Sequence, residues 1–132
     1  GINGAPSGDL LLDLEIQDHP LLVRDGYDLR CKVPITFMEA LLGGTADVPT
    51  LLGETVRIRV PRGVQSGQSL RLAGRGAPKP GGGKGDMFAE IEVETPQVDP
   101  EAAAEYLERL EQISVHPRRA AYLRALQDAK GE

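Results

Sequence analysis

The sequence predicts a mainly β fold of short strands that ends in a helical appendage. Three observations carry this. Apolar and polar residues alternate in several short runs. Glycine and proline, 16 and 10 of 132 residues, punctuate the chain with turns, which favours short strands over a long-helix bundle. After Thr95-Pro96 the alternation gives way to helical spacing.

The first run is also one half of an internal echo. Gly8-Asp9-Leu10-Leu11-Leu12-Asp13-Leu14-Glu15-Ile16 resembles Gly85-Asp86-Met87-Phe88-Ala89-Glu90-Ile91-Glu92-Val93. Both read as strands of period two. Leu10, Leu12, Leu14 and Ile16 share one face, as do Met87, Ala89, Ile91 and Val93. Asp13 and Glu15, then Glu90, Glu92 and Glu94, take the other face. A Gly/Pro-rich stretch precedes each run. Residues 1–16 therefore read as the tail of one unit, with a second, whole unit behind it.

Further strand candidates follow in order. Leu29, Cys31 and Val33 alternate with charged neighbours, as do Val56, Ile58 and Val60; Leu70 and Leu72 flank Arg71. Such one-sided alternation is expected of an antiparallel sheet with one wet face. Pro34, Pro49 and Pro61 stand at strand ends, where a missing N–H does least harm. Asp25-Gly26 and Leu52-Gly53 are turn positions. Thr36–Gly44 reads as one or two helical turns, with Thr36 as N-cap, Glu39 three residues on, and glycine closing it. The expected core is Leu10, Leu12, Leu14, Ile16, Leu29, Val33, Val56, Ile58, Val60, Ile91 and Val93. Asp13, Glu15, Arg57, Arg59, Glu90 and Glu92 should face water, because a slip of one residue would invert every face.

In the C-terminal segment Asp99 suits an N-cap, Pro100 the first helical position and Glu101 the first turn. Ala103, Tyr106, Leu107, Leu110 and Ile113 recur at helical spacing. Pro117 ends that run. A second helix is expected from Arg118 to Ala129, with Tyr122, Leu123 and Leu126 on one side.

Composition and charge exclude several classes. A chain of 132 residues can bury a core without disulfides or metal. Cys31 is the only cysteine, so an internal disulfide or Cys-rich zinc site is out. His19 and His116 have no donors at ligand spacing, so no metal and no cofactor are expected. A net charge of −5 argues against a dominant nucleic-acid or anionic-membrane surface. No apolar run approaches a membrane span. The N-terminus carries no signal-peptide pattern, so a cytoplasmic location is expected. The lack of a starting Met fits a piece of a longer protein.

No catalytic residue is expected either. Cys31 lies on the apolar face of its strand, as a buried small hydrophobe does. Gly74–Gly85 is rich in glycine and holds Lys79 and Lys84, but a phosphate loop ends in Gly-Lys-Ser/Thr before a helix. Here a strand follows, so a flexible surface loop is expected. The acids of the echo strands read as a solvated face. A carboxylate hydrolase would need two of them, such as Glu90 and Glu92, converging in a pocket.

Taken in order, Gly8-Asp9-Leu10, His19-Pro20-Leu21, Arg24-Asp25-Gly26-Tyr27-Asp28-Leu29, Val33-Pro34-Ile35, Ala40-Leu41-Leu42-Gly43-Gly44, Val48-Pro49-Thr50-Leu51, Val60-Pro61-Arg62-Gly63, Gln65-Ser66-Gly67, Leu72-Ala73-Gly74-Arg75-Gly76 and Gly85-Asp86-Met87 resemble the C-terminal client-binding region of DnaJ-type (J-domain) co-chaperones. The likeness covers roughly residues 1–96. It implies a two-sheet β-sandwich: residues 1–16 as the last strand of a preceding β-domain and hinge, 17–96 as the second β-domain, and 97–132 as a helical dimerisation segment. The J-domain's His-Pro-Asp loop is absent, since His19-Pro20 precedes Leu21. The family's Cys-X-X-Cys-X-Gly-X-Gly zinc repeats are absent too.

The resemblance implies a non-enzymatic chaperone module. It would bind apolar segments of unfolded client polypeptides and, as a homodimer, present them to a DnaK-type ATPase through the full-length protein. Leu22, Phe37, Met38 and Leu41 are the candidate client-binding residues, forming or flanking an apolar depression at a sheet edge. The alternative is that all four cap the core. Tyr106, Leu107, Leu110, Ile113, Tyr122 and Leu126 are the candidate dimer interface, or else fold back on the β-domain. The rival reading is the C-terminal domain of a curved-DNA-binding J-protein, with contacts at Arg118, Arg119, Arg124 and the Lys79–Lys84 loop. The acidic balance disfavours it.

Overall fold

The computed structural model describes residues 8–131. The chain divides into two compact units, Gly1–Pro96 and Gln97–Glu132. The first holds α1 (Gly8–Gln17), β1 (Val23–Asp25), β2 (Asp28–Thr36), α2 (Phe37–Leu42), β3 (Gly44–Pro49), β4 (Thr55–Val60), β5 (Ser69–Leu72) and β6 (Met87–Glu94). The second holds α3 (Ala104–Ile113) and α4 (Pro117–Ala129).

Among the described residues the strands form two sheets, one of order β1-β2-β6-β5 and the hairpin β3-β4. A single core joins them. Leu29, Cys31, Val33 and Ile35 of β2 and Met87, Ala89 and Ile91 of β6 are buried together with Val48 of β3 and Val60 of β4. Burying these apolar side chains is the main force holding the sheets together. Fold class and core thus follow the expected mainly β, two-sheet arrangement.

The connectivity differs from the expectation. β2 and β6 pair in parallel, with Leu29 opposite Met87 and Ile35 opposite Val93, while β1–β2 and β5–β6 are antiparallel. The residues between β2 and β6 form α2, the β3–β4 hairpin and β5, and so make the long crossover that parallel neighbours need. Period-two alternation records which face is buried but not the direction of the neighbouring strand. That is why the sequence reads the same either way.

The larger correction is α1. Gly8–Gln17 is a helix, not a strand. Leu12 and Ile16, four residues apart, are buried on one side, whereas Leu10 and Leu11 are exposed. The segment holds four leucines, a glutamate and a glutamine, good helix formers, and Ile16 is its only β-branched residue. A helix also satisfies its own backbone without a neighbouring strand. The expected burial of Leu14 and exposure of Glu15 concern side chains outside the described residues.

Smaller differences follow from edges. Val56, Ile58 and Val93 are half-buried against the core rather than enclosed, and Glu90 is half-buried rather than exposed. Asp13, Arg57, Arg59 and Glu92 face solvent as expected.

The Gly74–Gly85 stretch is not a loose loop. Gly76 N–H donates to Gly85 O at 2.8 Å, Gly85 N–H to Ala77 O at 2.9 Å, and Ala77 N–H to Tyr27 O at 2.8 Å. Ala77 is fully buried beneath the chain. In the helical unit, Asp99 opens a turn, its carboxylate accepting the Glu101 N–H at 3.1 Å. α3 begins only at Ala104, after Ala103. Pro117 is the first residue of α4, where its fixed φ suits a helix start.

Candidate functional site

α2 is fixed by a capping box. The Thr36 hydroxyl accepts the Glu39 N–H at 3.1 Å, and Glu39 Oε1 accepts the Thr36 N–H at 2.9 Å. Ala40 is the buried residue of this short helix. Phe37 is half-buried, Met38 is 57% exposed, and Leu41 is exposed as well. Leu22 sits in the core at 3% exposure. The turn before it is held by His19, whose Nδ1 accepts the N–H groups of Leu21 and Leu22 at 3.0 and 3.1 Å. Three of the four expected client-binding residues therefore share α2, and Leu22 lies beneath the surface.

None of the four lines either of two depressions around β2. One, ≈ 290 Å³, lies on the outer face of the larger sheet, against Leu21, Val23, Arg30, Cys31, Lys32, Phe88 and Glu90. The other, ≈ 420 Å³, lies between β2 and β3, against Lys32, Pro34, Glu39, Thr45, Asp47 and Pro49 among others. They share Leu21, Cys31 and Lys32 and so adjoin one another.

Between them runs an open strand edge. β6 covers one side of β2 along its length, but β1 covers the other side only as far as Arg30. Leu29 N–H donates toward β6, to Asp86 O at 2.9 Å. Strand alternation therefore turns the Lys32 N–H and the Lys32 and Pro34 carbonyls toward the uncovered side. The Lys32 carbonyl also receives the Cys31 thiol, weakly, at 3.7 Å. Pro34 supplies no N–H, a common feature of edge strands.

The charges beside this edge are mostly matched. Arg30 binds Asp25 at 3.0 Å, Lys32 approaches Glu92 at 3.8 Å, and Arg71 binds Asp86 at 2.8 Å. The Arg30 guanidinium stacks 5.3 Å from the centre of the Phe88 ring. The Asp86 carboxyl is held below the usual carboxylate range by the Gly74 N–H, with help from Arg71. Burial pushes the Cys31 thiol up, which keeps it protonated and unreactive. Among the described residues no group of three His, Cys, Asp or Glu side chains could hold a metal ion. No helix there is long and apolar enough to cross a membrane.

Leu21, Val23 and Phe88 were missed as candidates. Phe88 did carry a signal, being aromatic on a strand face whose other outward residues are Glu90, Glu92 and Glu94. Lys79 and Lys84 lie in the first unit, and Arg118, Arg119 and Arg124 on α4 in the second.

A family model described as the DnaJ C terminal domain matches residues 1–96. The chain belongs to the DnaJ C-terminal domain family. Named relatives agree. It is 47% identical over 97 residues to a chaperone protein DnaJ of Dinoroseobacter shibae, covering 73% of this chain and 25% of that one. It is 50% identical over 97 residues to the chaperone protein DnaJ of a Jannaschia species, with the same coverage. With that of Cereibacter sphaeroides it shares 44% over 115 residues, 86% of this chain and 30% of the relative. The chain thus spans a quarter to three-tenths of the length of these relatives.

Proposed function

We propose that this chain is the client-holding part of a DnaJ-type co-chaperone. It is a non-enzymatic surface that binds apolar segments of unfolded proteins and, within a full-length cytoplasmic protein, passes them to a DnaK-type ATPase. The observation that supports this best is the uncovered edge of β2 flanked by apolar surface. Backbone hydrogen bonds along a strand edge hold an extended segment whatever its sequence, and shallow apolar depressions take one or two side chains. Met38, exposed at the start of α2 near the end of β2, adds an adaptable contact. A chaperone must release what it binds, and a short edge with a proline in it suits weak, reversible pairing.

In the same reading, the C-terminal helices join two copies, giving two client surfaces per assembly. The test is suppression of aggregation of a heat-denatured enzyme, together with binding of a reduced, carboxymethylated protein that cannot refold. Concentration-dependent suppression and micromolar binding support the proposal. Binding to folded and unfolded forms alike, or to neither, overturns it.

A further inference from the structure

Resting on that reading, we propose that the outer-face depression of the larger sheet selects apolar client segments that carry a lysine or arginine, with Glu90 as the counter-charge. Leu21 and Val23, 53% and 63% exposed, and the Phe88 ring give it apolar walls. The cations around it are already answered: Arg30 by Asp25, Lys32 by Glu92, Arg71 by Asp86. Glu90 is different. It lies opposite Lys32 in the parallel register and is half-buried among the apolar walls. Yet its carboxylate has no ion pair or hydrogen bond among the described residues, since Lys32 reaches diagonally to Glu92. Glu94, further along the same face of β6, is likewise without an ion pair among the described residues. The face therefore carries surplus negative charge next to its apolar patch.

That surplus decides what can cover the depression. A purely apolar segment would strip water from the Glu90 carboxylate and leave it without a partner, which is costly. An acidic segment would add repulsion. A segment with an apolar side chain over Val23 and Phe88 and a cation beside it satisfies both the walls and the carboxylate. Its backbone would pair with the Lys32 N–H and C=O and the Pro34 C=O. The missing Pro34 N–H keeps that pairing short, so side-chain chemistry weighs more in the choice of segment.

The experiment measures fluorescence anisotropy of the chain with labelled peptides that share one leucine- and valine-rich core and differ at a flanking position, Lys, Ala or Glu. Binding in the order Lys, Ala, Glu is expected, with Lys over Ala by about fivefold, as a partly exposed ion pair allows. Glu90→Gln should erase the preference, the Ala peptide gaining affinity because no carboxylate is left to desolvate, and Glu90→Lys should invert it. Val23→Ser, at an exposed position, should weaken all three peptides with an unchanged urea midpoint. Equal affinities in the native chain, or a Lys preference that survives Glu90→Gln, overturn the charge selection. Loss of peptide binding in Met38→Glu but not in Val23→Ser moves the site to α2 and overturns the assignment to this depression. If no peptide and no unfolded protein binds, the client-holding reading itself fails.

Discussion

Gly85 packs so closely against Tyr27 that a Cβ on it would lie 2.0 Å from the Tyr27 carbonyl oxygen. A Cβ on Gly76 would lie 2.6 Å from the same oxygen. These contacts let the glycine-rich hairpin lie flat on the β1–β2 turn, where Ala77 N–H binds Tyr27 O. The nearest obstructing atoms are backbone, so they cannot swing away as a side chain would. Gly85→Ala is expected to lower stability by about 3 kcal/mol or to prevent folding. Gly44→Ala is the control: the nearest atom is Glu39 Cγ at 4.0 Å, and the change should stay within about 0.5 kcal/mol. Urea midpoints of the two variants check this. Equal midpoints would show that the hairpin can lift off without loss.

Asp86 ties the same region together and makes it sensitive to acid. Its Oδ1 accepts the Gly74 N–H at 2.8 Å and its Oδ2 binds Arg71 at 2.8 Å, while its own N–H donates to Asp28 Oδ1. The carboxyl titrates below its unfolded value, first because of the Gly74 N–H and then because of Arg71. A depressed carboxyl contributes stability that is complete above the unfolded pKa, near 4, and is lost as pH falls through the folded value. The native chain should therefore exceed Asp86→Asn in stability at neutral pH, and the gap should close in acid. Urea unfolding of both from pH 7 down to about pH 2 measures the gap. A gap independent of pH would mean that the charge itself contributes nothing.

Leu22 and Met38 separate core from surface. Leu22 is enclosed, so Leu22→Ala should cost about 3 kcal/mol. Met38 is mostly exposed, so Met38→Glu should shift stability by less than about 1 kcal/mol. The same change is expected to weaken capture of unfolded protein if α2 borders the client surface. Thermal melts and binding of a carboxymethylated protein read the two effects apart. Unfolding of Met38→Glu would place Met38 with the core instead.

Burial was more legible in the sequence than topology. The alternation of Leu29, Cys31 and Val33 against Arg30 and Lys32 identified the inner face of β2. It could not reveal the parallel partner, because one face is wet in either arrangement. The Thr36–Glu39 capping box was read directly, since its residues are adjacent in the chain. The Gly8–Ile16 run misled because leucine at every second position also places Leu12 and Ile16 on one helical face. The open edge of β2 was hidden for a different reason. It depends on β1 beginning only at Val23, opposite Arg30, a matter of pairing length that no local pattern records. The four α2-centred candidates came from position and apolarity alone, which does not distinguish a pocket lip from a buried neighbour such as Leu22.

The helical unit carries the last prediction. No side chain of α3 or α4 is buried. Tyr106, Leu107, Ile113, Tyr122, Leu123 and Leu126 are exposed, and Leu110 is half-buried. On α3, Tyr106, Leu110 and Ile113 fall three and four residues apart, a single stripe along the helix. Two helices of 10 and 13 residues are marginal without packing of such a stripe. Each leucine buried would contribute ~1.5–3 kcal/mol, so a self-complementary two-fold interface built from both helices could support a dimer at micromolar concentration. Two joined client surfaces would raise the avidity for any chain with two apolar segments. Sedimentation equilibrium of the chain with and without residues 99–132 tests this. A dimer that becomes a monomer on truncation is expected, with Leu110→Asp reproducing the effect in the untruncated chain. Monomers in both cases at tens of micromolar would assign the stripe to a contact within one chain and remove the two-surface arrangement.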